Sequence, residues 1–180
     1  DEHPRRDTTA EKLAALKPLH PEIDGFSITA GNSSGINDAA AALTLASSEL
    51  VAERGLTPLA VVRAWGAVGV DPVETGLAPI AAIRLAVRRA GLEVDDVDLW
   101  EINEAFASVS VAATRALDLD DDTVNVAGSG CSLGHPIAAS GARMITSLVH
   151  ELRRRGGGVG VAAMCAGGGQ GSAVVIEVPA

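Results

Sequence analysis

Two glycine-rich corners, each set behind an apolar run, constrain this chain most. The first is Gly128-Ser129-Gly130-Cys131-Ser132-Leu133-Gly134-His135-Pro136. The β-branched run Thr123-Val124-Asn125-Val126 leads into it, and an amphipathic helix pattern leads out. Its glycines permit backbone angles and close approaches that a Cβ would forbid. Pro136 suits the first position of the following helix, where no N–H is needed. His135 then stands at a strand–loop–helix corner, from which a ring can face a cleft; the plain alternative is a tight turn with an incidental histidine. The second corner, Cys165-Ala166-Gly167-Gly168-Gly169-Gln170-Gly171, follows another apolar strand pattern. One histidine corner and one cysteine corner point to a site.

Composition narrows the class. Hydrophobic residues make up 47% of the 180, yet aromatics are 2% and tyrosine is absent, so Ala, Val, Leu and Ile must build the core. With 20 glycines, that suits an α/β protein whose helices pack closely on a sheet. A net charge of −9 leaves no basic stripe for phosphates and argues against nucleic acid as a partner. Cys131 and Cys165 are too few for a disulfide framework and fit a reducing, cytoplasmic setting. No run of 18 apolar residues indicates a membrane span. The chain starts at Asp1 without Met or a signal-like segment, which reads as part of something larger.

In chain order, residues 1–26 are polar and proline-punctuated, with one short helical pattern from Thr9 to Leu16. His3 and His20 adjoin prolines there and read as ordinary surface. Phe26 to Ala30 is a strand candidate, followed by Gly31-Asn32-Ser33-Ser34-Gly35 and a helix from Asn37 or Asp38 to about Glu53. A glycine–serine loop opening a helix offers N–H groups to a ligand, and is equally a plain connection. No Gly-Lys-Ser/Thr follows, so it is not a P-loop.

A domain boundary is expected near Pro58. Beyond it come a strand at 59–70, a helix at 79–90 closed by Gly91, and a strand of alternating character at 97–102. A helix from Glu104 to about Leu117 leads to an acidic turn that lacks EF-hand spacing. A strand at 123–127, a helix at 136–155 and strands at 159–164 and 173–178 complete the order β-α-β-α-β-α-β-β. Arg153, Arg154 and Arg155 before Gly156 suit the negative end of a helix.

Asn103-Glu104 stands where a strand gives way to a helix, the usual site-bearing end of an open α/β sheet. A cysteine beside glycine N–H groups can be activated and can adjoin an oxyanion site, and a histidine at a second corner can exchange protons with a thiol. A zinc set of Cys131, His135 and Cys165 is the alternative, but it lacks a fourth ligand. Cys131 alone reads as a small buried hydrophobe.

Asn103-Glu104-Ala105-Phe106-Ala107, Gly134-His135-Pro136 with Ser140-Gly141-Ala142-Arg143, and Cys165 to Gly171 resemble the three C-terminal motifs of the thiolases. Thr29 to Asp38 resembles the motif that precedes them, so four motifs stand in the family's order over 27–171. The resemblance implies a thiolase-like α/β fold: a βαβαβαββ C-terminal domain at 59–180, with helices on both faces of a mixed sheet. Residues 27–58 would be the last pieces of the N-terminal thiolase domain, and 1–26 the end of the loop domain. It also implies thiolysis of 3-ketoacyl-CoA to acyl-CoA and acetyl-CoA, or the reverse condensation, as in fatty acid or lipid metabolism and β-oxidation. Coenzyme A enters as substrate, and no metal or other cofactor is implied.

Carried over by the resemblance, His135 takes the proton from a nucleophilic cysteine. With a water held by Asn103, its ring forms an oxyanion hole for the enolate oxygen. Cys165 is the general acid/base, the Gly167 N–H serves a second oxyanion hole, and Ser34 touches the pantetheine arm. Glu104 is a supporting residue or a helix start. The family's nucleophilic cysteine lies in its N-terminal half and has no counterpart here. Cys131 stands where an apolar residue is usual, Ser129 where glycine is common, and Ala138 where glycine often follows His-Pro-x. The expected partners are therefore an N-terminal thiolase half, which also covers the open face of 27–58, and further copies in a dimer or tetramer. A non-catalytic module that binds acyl-CoA or lipid, or scaffolds a partner, is the competing expectation.

Overall fold

The computed structural model describes residues 4–180. His3 lies outside the described residues, and His20 is exposed, as expected of a surface position. In the first part of the chain, α1 (Ala10–Ala14) is capped by Thr9, whose hydroxyl accepts from the Lys12 N–H at 3.2 Å. The strand expected at 26–30 is irregular and holds a single bridge, Pro18 to Thr29.

The helix expected from 37 to 53 shortens to α2 (Ser48–Arg54). Residues 38–47 are exposed, so a helix there would bury no face to offset its nucleation cost. α2 has the ends that the preceding stretch lacks. The Ser47 hydroxyl accepts from the Leu50 N–H at 3.2 Å, and Gly55 closes the helix in the left-handed region.

After residue 58 the chain builds one mixed sheet in the order β1 (Val61–Gly69), β4 (Gln170–Val178), β3 (Gly158–Ala166), β2 (Leu99–Ile102). β4 runs antiparallel to both its neighbours, and β2 runs parallel to β3. On one face, α3 (Ala78–Ala90) and α4 (Ala107–Leu117) bury Ile83, Val87, Val109 and Ala113 against Trp100, Ile102, Val161 and Val175. On the other face, α6 (Ser140–Arg155) packs Met144, Leu148 and Leu152 against Leu99, Ala162 and Ile176. Helices therefore cover both faces, and the alternation expected for β2 gives way to burial of all four of its residues.

The sheet has four strands where βαβαβαββ calls for five. Residues 123–127 are not a strand: Val124 makes one parallel bridge to Trp100, and Asn125 turns into the left-handed region at φ +51°. The Asn125 side chain takes the place of a neighbouring strand. Its Oδ1 accepts from the Ile102 N–H at 2.8 Å, and its Nδ2 donates to the Ile102 carbonyl at 2.9 Å. The helix placed at 136–155 starts instead at Ser140, so Pro136 precedes it rather than opening it. The Pro136 carbonyl accepts from the Ala139 N–H at 2.7 Å and the Ser140 N–H at 2.9 Å, forming a turn ahead of the helix. A further short helix, α5 (Gly130–Leu133), lies inside the first glycine corner. The helix expected from Glu104 starts at Ala107.

Candidate active site

Asn103 is the first residue past β2, and it is fully buried. Its N–H donates to the Ala163 carbonyl at 2.9 Å, which carries the β2–β3 pairing one residue further. Gly130 makes room beside it: a side chain there would collide with the Glu104 carbonyl, so α5 docks directly on this corner.

Three ties fix His135. Its backbone pairs with Ile36 in a parallel bridge, and its N–H donates to Asn37 Oδ1 at 3.0 Å. Gly134, at φ +104°, permits that approach, because a Cβ would lie 2.6 Å from the Asn37 carboxamide. Nδ1 of the ring lies 2.7 Å from Ser140 Oγ, and that hydroxyl donates to the Pro136 carbonyl at 3.2 Å. With its proton committed there, the serine oxygen accepts from Nδ1–H, which assigns the tautomer from the network. Nε2 is left with a lone pair, 3.4 Å from Asn103 Nδ2. Burial, then the charge of Arg143, lowers the pKa of His135 below its usual 6.5, so the ring is neutral at physiological pH.

Cys165 lies on β3, two residues past the Ala163 that pairs with Asn103, and faces Gly171 across the β3–β4 pair. Burial pushes its thiol above the ordinary 9.0 and keeps it protonated at neutral pH. Gly167 sits just beyond, in the exposed turn that joins β3 to β4, where Gly168 and Gly169 take positive φ. Ser34 is held beside the start of α4, its N–H donating to the Ala105 carbonyl at 3.0 Å. The fold thus joins Asn103 and His135 directly and lays Ser34 along the same loop. Among the described residues no hydrogen bond links Cys165 or Gly167 to those three.

The departures at Cys131, Ser129 and Ala138 have local explanations. Cys131 is half-buried, and burial together with the Glu104 charge pushes its thiol up to about 11, which keeps it protonated at neutral pH. Glu104 braces the corner: Oε2 accepts from the Cys131 N–H at 3.2 Å and Oε1 from Ser110 Oγ at 3.2 Å. Ser129 is buried and bonded, its Oγ donating to the Ile102 carbonyl at 3.1 Å and accepting from the Glu104 N–H at 3.3 Å. Ala138 is exposed in the turn before α6, where its methyl meets solvent. Among the described residues no three His, Cys, Asp or Glu side chains are grouped to hold a metal ion.

Four residues near the site carried no assigned role in the sequence: Asn37 and Ser140, which orient His135, and the ion pair Glu101–Arg143. The one available signal for Glu101 was its place two residues after Leu99, on the same face of the strand pattern from Val97 to Ile102.

Residues 56–178 match the family model of the thiolase C-terminal domain, and residues 1–49 that of the thiolase N-terminal domain. The chain belongs to the thiolase family. It is 48% identical over 179 residues to an acetyl-CoA acetyltransferase of Syntrophomonas wolfei, covering 98% of this chain and 44% of that protein. The crystal structure of the Bacillus anthracis acetyl-CoA acetyltransferase matches with a TM-score of 0.92 and 51% identity, over 99% of this chain and 45% of that one. Human mitochondrial 3-ketoacyl-CoA thiolase in complex with CoA matches with a TM-score of 0.89 and 43% identity, over 100% of this chain and 45% of that one. This thiolase chain therefore spans about half the length of the relatives it matches. No helix among its described residues is long and apolar enough to cross a membrane.

Proposed function

We propose that this chain carries the acid/base and oxyanion half of a thiolase centre, which cleaves 3-ketoacyl-CoA with CoA or runs the reverse condensation. The observation that carries this reading is the contact of buried Asn103 with half-buried His135, with the imidazole neutral and Nε2 unprotonated. Such a ring accepts the proton of a cysteine thiol supplied by the N-terminal thiolase domain. The thiolate attacks the 3-keto carbon, the C2–C3 bond breaks, and the acyl group stays on sulfur while the acetyl-CoA enolate leaves. The enolate oxygen is held by protonated Nε2 and by a water on Asn103, whose Oδ1 is buried and has no partner among the described residues. Cys165 then protonates the enolate carbon, a role suited to a thiol held in its neutral form. Returned to the thiolate, it takes the proton of the incoming CoA thiol, which attacks the acyl-enzyme. The Gly167 N–H serves the oxyanion of that second step, and Ser34 contacts the pantetheine arm.

CoA is a substrate here, and no resident cofactor is part of the reading. Exposed apolar residues, Ile36 at 93% and Leu45 at 78%, supply surface for the N-terminal thiolase domain. Further copies would complete a dimer or tetramer. Two free cysteines fit the cytoplasm. Cys165→Ala in the complete enzyme should abolish steady-state thiolysis while the nucleophilic cysteine still becomes acylated, read by intact mass. Turnover at the wild-type rate in that variant would overturn the assignment.

A further inference from the structure

β2 and α6 carry the two sides of the Asn103–His135 contact, and one ion pair crosslinks them next to it. Arg143 Nη1 donates to Glu101 Oε2 at 2.5 Å, with the Glu101 side chain 3% exposed and the Arg143 side chain 22%. Glu101 lies two residues before Asn103 and so shares its face of the strand. Arg143 lies three residues after Ser140, one helical turn from the hydroxyl that fixes His135 Nδ1. The link therefore ties the strand that presents Asn103 to the helix turn that orients His135.

Packing does not require charges at this place. Leu99 and Met144, their neighbours on β2 and α6, are buried and apolar, and replacing a buried ion pair with apolar side chains is often neutral or stabilising. Burial of the pair also leaves Arg143 Nη2 without a partner among the described residues. What a charge-assisted hydrogen bond adds over an apolar contact is a defined distance and direction.

We propose that Glu101 and Arg143 form a positioning clamp that sets the separation of Asn103 and His135. The proposal rests on the thiolase reading above. Neither residue touches substrate; both act through the two that do. Arg143 has a second effect through its charge. The charged and titratable groups on the elements around His135 are Arg143 on α6, Glu101 on β2, Glu104 beyond β2, Cys131 on α5, Cys165 on β3 and Asp38 on the segment paired with residue 135. Arg143 is the cation among them, and it disfavours the imidazolium.

The test uses the complete enzyme with Arg143→Met, Arg143→Lys and the apolar double variant Glu101→Met with Arg143→Met, which avoids stranding a buried carboxylate. The double variant should keep its Tm and a KM within about 2-fold while kcat falls by about 10-fold to 100-fold. Arg143→Lys, which keeps the charge but shortens the reach, should recover part of that loss. The His135 titration, followed by NMR of the imidazole, should move to higher pH in Arg143→Met and stay in place in Arg143→Lys. An unchanged kcat in the double variant would overturn the clamp, as would losses of kcat and Tm in step with no movement of the His135 titration. Absence of thiolysis in the wild-type enzyme would instead overturn the functional reading, and the NMR titration would still decide whether Arg143 acts on His135.

Discussion

Residues 37–47 and α3 are both alanine-rich and have opposite fates. Each contains five alanines; the first stretch has no proline and one β-branched residue, Thr44, where α3 carries Pro79, Ile80, Ile83 and Val87. The run Ala39 to Ala42 gives the first stretch ample helix formers at its centre. Yet 38–47 are exposed and irregular, while α3 is a 13-residue helix that buries Ala78, Ala82, Ile83, Ala86 and Val87. The difference lies in what receives them. Gly66 on β1 lets α3 settle onto the sheet, since a Cβ there would come within 2.9 Å of the Ala82 carbonyl. Nothing among the described residues receives 38–47. Between these two alanine-rich stretches cover decides helicity, while the short exposed α1 and α2 stand on their capping residues.

The largest test of that contrast compares two leucines. Leu152→Ala, at a fully buried position under the sheet, should cost about 2–5 kcal/mol in denaturant unfolding. Leu45→Ala, at a position 78% exposed, should stay within about 0.5 kcal/mol. Equal losses would show that the open stretch packs as the sheet does.

A smaller effect is expected at His135, which Asn37 of the open stretch and Ser140 of the packed helix α6 both hold. Ser140→Ala frees the ring tautomer from the packed side and should lower kcat by roughly 10-fold in the complete enzyme. Asn37→Ala removes only a backbone tie from the open side and should cost less. The reverse order of effects would place control of the ring in the open segment.

The smallest effect is a matter of pH. Because the folded pKa of His135 is depressed, its neutral form persists below 6.5, and the acid limb of kcat/KM should fall under that value. Because the Cys165 thiol is raised, the basic limb should lie above 9.0. In the linkage sense, the unfolded chain takes up the His135 proton first, so stability from this group declines as pH falls from 6.5 through the folded pKa. Burial pushes the Glu101 carboxyl up to about 7, so a limb near there reports the clamp, whereas a His135 ring titrating above 6.5 by NMR would contradict the burial of the ring.

Elements with punctuated ends were legible from residues alone. Pro79 and Gly91 bracket α3, and Arg153 to Gly156 close α6, with Gly91 and Gly156 in left-handed caps. The strand misplaced at 123–127 fooled the pattern because Thr123, Val124 and Val126 are good strand formers. The decisive event there is one side chain bonding across to Ile102. Pro136 satisfies a helix start locally, but the turn it accepts from delays α6 to Ser140. At the site, Asn103 and His135 were legible as motif members, and the contact between them required the fold. Glu101–Arg143 was not legible, because a carboxylate on an apolar strand becomes buried only once α6 has covered that face.

The Asn125 carboxamide bears on how this sheet meets other molecules. β2 is a flank of the sheet, and unpaired N–H and C=O groups on a flank can template a foreign strand. At Ile102 both groups are already taken by one side chain, so an incoming chain finds no register to copy there. The opposite flank, β1, is longer and shows Trp65 to solvent, but its ladder with β4 is broken by a shift between Val62 and Ala64, where Arg63 pairs with Glu177. Strand addition is thus hindered on one side by Asn125 and its neighbours, which occupy Ile102 and Trp100, and on the other by an irregular, charged rim.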